Sequence, residues 1–243
     1  MISTNSIILT VIAFYIITSY LIFYNVHSRI EKVIDEEFHI PQGLAYCNFN
    51  FSAWDPKITT LPGLYILSTI ILGPLRLCST FWLRFVNYIV GVINLCLLII
   101  LFGGFNKNAN ERQRLSALLS GFNLAILPPL FFFTNLYYTD VVSLMFIILL
   151  MVFNKQNKHG LASFCGLLSV IARQTNIIWV AMMSGDYILR QFYRWCIKTK
   201  PNRKLLDRIS KEDVQSLRMD NLWDLLNPSM GVSLWEIKQH TQL

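Results

Sequence analysis

The groups that could do chemistry are crowded into one stretch of this 243-residue chain, from Asp35 to Tyr65. It reads Asp35-Glu36-Glu37-Phe38-His39-Ile40-Pro41-Gln42, then Tyr46-Cys47, then Trp54-Asp55-Pro56-Lys57-Ile58-Thr59-Thr60-Leu61-Pro62-Gly63-Leu64-Tyr65. Adjacent carboxylates can differ in ionisation, because burial and like charge push one pKa up. A carboxylate so placed can take the proton of an acceptor hydroxyl in a group transfer. Far along the chain, Arg173-Gln174-Thr175-Asn176 interrupts an apolar run. A guanidinium there matches the geometry of a phosphate at a membrane surface. Together these groups describe transfer of a sugar from a lipid phosphate to an alcohol. Plainer readings stand beside this one: a solvated acidic patch for Asp35-Glu36-Glu37, a structural role for His39, and headgroup contacts for Lys57 and Arg84.

The rest of the chain must position these groups, and most of it is apolar. Hydrophobic residues make up 54% and charged residues 14%, against about 25% charged in a soluble domain. Long apolar runs carry the excess, so the chain reads as an all-α polytopic membrane protein. The net charge of +7 is a topology signal rather than a nucleic-acid one, because the cations are not interleaved with aromatics on a soluble face. Five scattered cysteines (Cys47, Cys78, Cys96, Cys165, Cys196) form no CxxC and no Cys/His cluster, so neither a metal site nor a disulfide framework is expected. No cofactor is expected either.

The first span is placed at residues 7–24 and reads as an uncleaved signal-anchor. A long polar loop follows over 25–82. Its second half, Pro62 to Thr80, is broken by Gly73-Pro74 and Arg76, and is expected to lie on or dip into the membrane surface. Further spans are expected over 82–102, 115–133 (kinked at Pro128-Pro129) and 141–153. Residues 160–185 resemble one span, but a charge at the bilayer centre costs at least about 2.5–3.5 kcal/mol. Splitting at Arg173 into 160–172 and 176–192 avoids that cost. With the N-terminus cytosolic, 15 Lys/Arg fall inside and 6 outside, as the positive-inside rule requires. The tail, 186–243, is polar, basic and cytosolic in this scheme, with a surface helix over Leu205 to Leu226.

This topology gathers Asp35, Glu36, Glu37, His39, Gln42, Asp55, Lys57, Arg84, Tyr137, Tyr138, Asp140, Arg173, Gln174 and Asn176 on one non-cytosolic face. Asn50-Phe51-Ser52, an N-glycosylation pattern, falls there too.

Several long, ordered motifs now carry a resemblance. They are Asp35-Glu36-x-Phe38-His39-x-Pro41-Gln42, Tyr46-Cys47, Trp54-Asp55-Pro56-x-Ile58-Thr59-Thr60-x-Pro62-Gly63-Leu64-Tyr65, Leu83-Arg84-Phe85-Val86-Asn87, Leu136-Tyr137-Tyr138-Thr139 and Arg173-Gln174-Thr175-Asn176-Ile177-Ile178-Trp179. They resemble the alpha-1,2-glucosyltransferases of the endoplasmic reticulum that add the terminal glucose to the dolichol-linked oligosaccharide, from the first span to about Gly185. The resemblance implies a GT-C type membrane fold with a luminal active site in the endoplasmic reticulum membrane, to which the reading of the apolar runs gives about six transmembrane helices and a long first luminal loop. It implies dolichyl phosphate glucose as donor, the diglucosylated dolichyl-diphosphate-linked oligosaccharide as acceptor, and inverting transfer. The base would be Asp35, with Glu36 and Asp55 behind it. Arg173 and Gln174 would face the donor phosphate or the acceptor, and His39, Gln42, Lys57, Arg84, Tyr138 and Asn176 complete the substrate-binding candidates. Family members are roughly twice this long, so residues 1–185 read as the N-terminal half of such an enzyme, from a truncated or alternatively ended product. The competing readings are an inactive truncated product, a transporter or a non-catalytic membrane adaptor. A transporter predicts two repeated halves, and no such internal repeat is seen.

Overall fold

The apolar runs fold as helices in a computed structural model that describes residues 3–199 apart from Lys107. The order is α1 (Thr4–Arg29), α2 (Glu36–Cys47), α3 (Gly63–Leu72), α4 (Thr80–Phe102), α5 (Glu111–Ala125), α6 (Pro128–Thr134), α7 (Thr139–Lys155), α8 (His159–Ala172), a 3-10 turn (Gln174–Asn176) and α9 (Ile177–Thr199). Residues 1–181 make one compact unit; the second begins at Met182 and is described only as the remainder of α9. The surface helix expected over Leu205 to Leu226, and most of the tail, lie outside the described residues.

Two helices, α1 and α4, are each long and apolar enough to cross a membrane. The pair α5 and α6 makes a third crossing if counted as one span, bent by 68° at Ile126-Leu127. Pro128 and Pro129 open α6, where their missing N–H groups cost nothing, and prevent α5 from running on. The kink expected there is therefore a break. By length alone α7 (17 residues, about 25 Å) and α8 (14 residues, about 21 Å) fall short of a hydrocarbon core of about 30 Å. Where six spans were expected, two helices among the described residues meet the requirement by length and composition, or three with the bent pair counted as one. Within the loop 25–82, α1 runs on to Arg29, α2 adds a helix not anticipated, and the surface segment forms the ten-residue α3.

The outer face of α1 carries Leu9, Phe14, Ile17 and Leu21, each more than half exposed. So large an apolar face suits lipid as its solvent. The inner faces meet in two clusters. One joins α2, α3, α4 and α7 through Ile40, Tyr65, Leu83 and Val142; the other joins α1, α4, α5 and α7 through Ile8, Leu95, Leu118 and Ile148. The stripe of α4 that faces the α6–α7 junction is Arg84, Asn87, Gly91 and Asn94, at helical spacing. A Cβ at Gly91 would lie 2.6 Å from the Thr134 side chain, so glycine lets that side chain pack directly on the α4 backbone. Asn87 donates to the carbonyls of Leu136 and Tyr138 at 2.8 and 2.7 Å, and Asn94 to that of Val141 at 3.0 Å. These amides satisfy backbone acceptors around the start of α7 and fix it against α4. At the other end Thr4 donates to Glu111 and Lys155 to the carbonyl of Leu101. The polar groups singled out from the sequence therefore share the end where α1 finishes and α4 and α7 begin.

Candidate active site

The segment before α2 is where charge is concentrated and then locked. Glu36 is fully buried and both of its oxygens are taken. Oε1 accepts from Arg84 Nε at 2.9 Å and from the Tyr137 N–H at 2.7 Å; Oε2 accepts from Arg84 Nη2 at 2.6 Å and from the Val33 N–H at 3.2 Å. Arg84, 1% exposed, spends further N–H groups on the carbonyls of Ile30 and Glu31. A buried ion pair is tolerated where, as here, the remaining hydrogen-bonding capacity is met. One carboxylate thereby ties α2 to α4, to the approach to α7 and to the connection from α1. Arg84, a substrate-binding candidate from sequence, is committed to the protein, and Glu36, a candidate base, has no accessible oxygen.

Asp35 stands one residue away in the opposite condition. Its backbone is fixed: its N–H donates to Tyr138 Oη at 3.0 Å, and Tyr138 Oη donates to the carbonyl of Val33 at 3.1 Å. Between these anchors Ile34 adopts φ +48°, a left-handed conformation unfavourable for a β-branched residue, while its side chain is exposed. The Asp35 side chain is exposed at the N-cap of α2 and makes no capping bond. One turn on, His39 is buried, with Nδ1 2.5 Å from Tyr65 Oη and its ring edge-on to Tyr138. Burial lowers the His39 pKa, and the negative charges of Asp35 and Glu36 oppose that shift.

The loop after α2 is pinned from both sides. Gln42 is buried; its Nε2 donates to the carbonyl of Ala53 at 2.6 Å and its Oε1 accepts from the Asp55 N–H at 3.0 Å. Asp55 closes an Asx turn onto the Lys57 N–H at 2.9 Å, and Lys57 Nζ sits 5.2 Å from the centre of the Phe38 ring. Further along, Gln174 Nε2 donates to the carbonyl of Thr59 at 2.8 Å. Arg173, extended at the end of α8, pairs with Asp140 in the first turn of α7, and both side chains remain about a third exposed or more. Asn176 is buried and donates to Ser143 Oγ and to the carbonyl of Ser169. Thus Asp35, Asp55, Lys57, Arg173 and Gln174 present reachable groups, whereas Glu36, Gln42, Arg84, Tyr138 and Asn176 hold the frame. Among the described residues no three His, Cys, Asp or Glu side chains converge to hold a metal ion.

Three participants have roles that the sequence did not assign. Asn87 and the Tyr137 backbone N–H belong to the frame; Asn87 lies three residues after Arg84 in an apolar helix, a spacing that signals a shared polar face. The third is a disulfide between Cys47 and Cys78, with Cα atoms 5.7 Å apart. The expectation of no disulfide framework is corrected. Cys47 ends α2 and Cys78 precedes α4, and the turn after α3 folds one back on the other.

The DIE2/ALG10 family model matches residues 29–236. The chain belongs to the DIE2/ALG10 family. The match passes beyond Gly185 into the tail, so the likeness is longer than the motifs alone indicated. Family relatives carry the name Dol-P-Glc:Glc(2)Man(9)GlcNAc(2)-PP-Dol alpha-1,2-glucosyltransferase. The Drosophila melanogaster protein of that name is 38% identical over 214 residues, covering 86% of this chain and 44% of the relative. A Homo sapiens protein of that name is 37% identical over 172 residues, 66% of this chain and 36% of the relative. The Candida albicans protein is 34% identical over 245 residues, 89% of this chain and 52% of the relative. The chain therefore spans about half the length of these curated relatives, or less. No solved structure matches it.

Proposed function

We propose that this chain carries the catalytic end of a GT-C type glucosyltransferase. It would transfer glucose from dolichyl phosphate glucose, in alpha-1,2 linkage, to the diglucosylated dolichol-linked oligosaccharide. The observation that carries the mechanism is the division of labour at the start of α2. Glu36 is saturated and buried, while the Asp35 carboxylate is exposed on a backbone held from both sides. In this reading Asp35 accepts the proton of the acceptor hydroxyl. The freed oxygen bonds to the anomeric carbon of the donor glucose, and the bond from that carbon to the phosphate oxygen breaks. The leaving dolichyl phosphate keeps the electron pair. Arg173 uses Nη1 on Asp140 and has other N–H groups left for that phosphate, with Lys57 as a second cation. The dolichyl chains need surfaces that the relatives' remaining length would supply.

The site would face the lumen of the endoplasmic reticulum. Cys47–Cys78 supports this side, since disulfides persist in oxidising compartments. Asn50, exposed in the turn after α2, is on the same side as that disulfide. Residues 1–185 would then be the membrane-embedded half and 186–243 a basic cytosolic segment. The test is the lipid-linked glycan profile of cells lacking their own terminal glucosyltransferase and expressing this chain. The triglucosylated species is expected, either with the chain alone or with a relative's C-terminal half supplied. Persistence of the diglucosylated species in both cases refutes the proposal.

A further inference from the structure

We propose that the cleft between the end of α1 and the starts of α2 and α4 is a subsite for neutral carbohydrate, the terminal sugars of the acceptor glycan. This rests on the glycosyl-transfer reading above. The cleft is open to solvent, has a volume of about 430 Å3 and is lined by His27, Ile30, Glu31, Lys32, Glu37 and Thr80, together with the buried Arg84. That volume lies within the roughly 300–1,000 Å3 of small-molecule sites.

Its polar groups are unspent. The side chains of Glu31, Lys32, Glu37 and Thr80 form no hydrogen bond or ion pair among the described residues, and His27 Nδ1 is shielded without a partner. The Arg84 charge is already met by Glu36, so the charges left open are two carboxylates and one ammonium. An excess of negative charge disfavours a phosphate. A polyol suits it: sugar hydroxyls donate to the carboxylates and accept from Lys32 and Thr80. The cations that would hold a phosphate, Lys57 and Arg173, belong to other contacts of the site, against Phe38 and Asp140. Asp35 lies in sequence between Lys32 and Glu37, on the segment that walls the cleft. The arrangement thus assigns the neutral acceptor to the acid-lined cleft and the anionic donor to the cationic flank, with Asp35 on the segment that walls the first.

Binding measured by calorimetry in lipid nanodiscs, on the chain completed by a relative's C-terminal half, tests this. The probes are the diglucosylated oligosaccharide, released from its lipid, and dolichyl phosphate glucose. Glu37→Ala and Glu31→Ala should each weaken the oligosaccharide by about tenfold, the value of one hydrogen bond to a charged group. Both variants should leave the affinity for dolichyl phosphate glucose unchanged. Unaltered oligosaccharide binding in both variants, or a parallel loss of donor binding, overturns the assignment. If the unmodified chain takes the donor and not the oligosaccharide, the cleft assignment falls while the donor half of the proposed function stands. If it takes neither, the proposed function falls with it.

Discussion

Removing the Arg84 guanidinium while leaving Glu36 in place should be the most damaging single change in the described region. Glu36 is 0% exposed and receives four donors, two of them from Arg84 at 2.9 and 2.6 Å. In Arg84→Met the carboxylate stays buried with only the Tyr137 and Val33 N–H groups, and the carbonyls of Ile30 and Glu31 lose their donor as well. Breaking a buried pair from one side costs about 3–5 kcal/mol. For a unit of this size that is a fall in melting temperature on the order of 10 °C. Arg84→Lys should recover little, because an ammonium cannot replace a two-pronged guanidinium. The double variant Glu36→Met with Arg84→Met should be more stable than Arg84→Met alone, since no charge is left stranded. The assay is thermal unfolding of the chain in nanodiscs, following each variant and the double-mutant cycle. If Arg84→Met melts within about 2 °C of the unmodified chain, Glu36 is not the buried anchor described here and the reasoning fails.

Other expectations concern the same end of the molecule. Because burial lowers the His39 pKa below its ordinary 6.5, the unfolded chain binds more protons than the folded one as pH drops through that value. Stability should therefore be fullest above pH 6.5 and fall on acidification, and His39→Gln should flatten that dependence between pH 7.5 and 5.5. Reducing Cys47–Cys78, which closes a separation of 31 residues, should cost about 3–4 kcal/mol; thiol labelling without denaturant should find both cysteines protected until reductant is added. A methyl group at Gly63 would meet the backbone of Ile171 and Ala172 at 2.6 Å, which cannot rotate away, so Gly63→Ala should cost about 1–3 kcal/mol by the same unfolding assay.

Much of the architecture was legible because lipid simplifies the code. Apolar runs became helices, Pro128-Pro129 broke one, and the charge at Arg173 ended another where a solvated partner was available. Local signals decide such features. What was not legible depended on long-range pairing. Arg84 meets Glu36 across 48 residues, and nothing in either local sequence tells a headgroup contact from a buried anchor. Cys47 and Cys78 pair because the turn after α3 folds back, whereas five scattered cysteines carry no spacing pattern. Adjacent acids were recognisable as a pair with distinct roles, but the assignment needed the burial of one and the exposure of the other. The expected count of six spans rested on apolar runs; among the described residues α7 and α8 are shorter than a hydrocarbon core, and two helices, or three with the bent pair, are long and apolar enough to cross.

The most direct test of the central claim separates chemistry from anchoring at two neighbouring carboxylates. Asp35→Asn and Glu36→Gln are compared in the glucosyl-transfer assay, with the chain completed by a relative's C-terminal half where transfer requires it. Protein amount and melting are recorded beside activity. Asp35→Asn should abolish transfer, while melting within about 0.5 kcal/mol of the unmodified chain, as exposed substitutions do. Glu36→Gln should lose stability first, and activity only in step with the loss of folded protein. Full transfer by a normally folded Asp35→Asn chain would contradict the account.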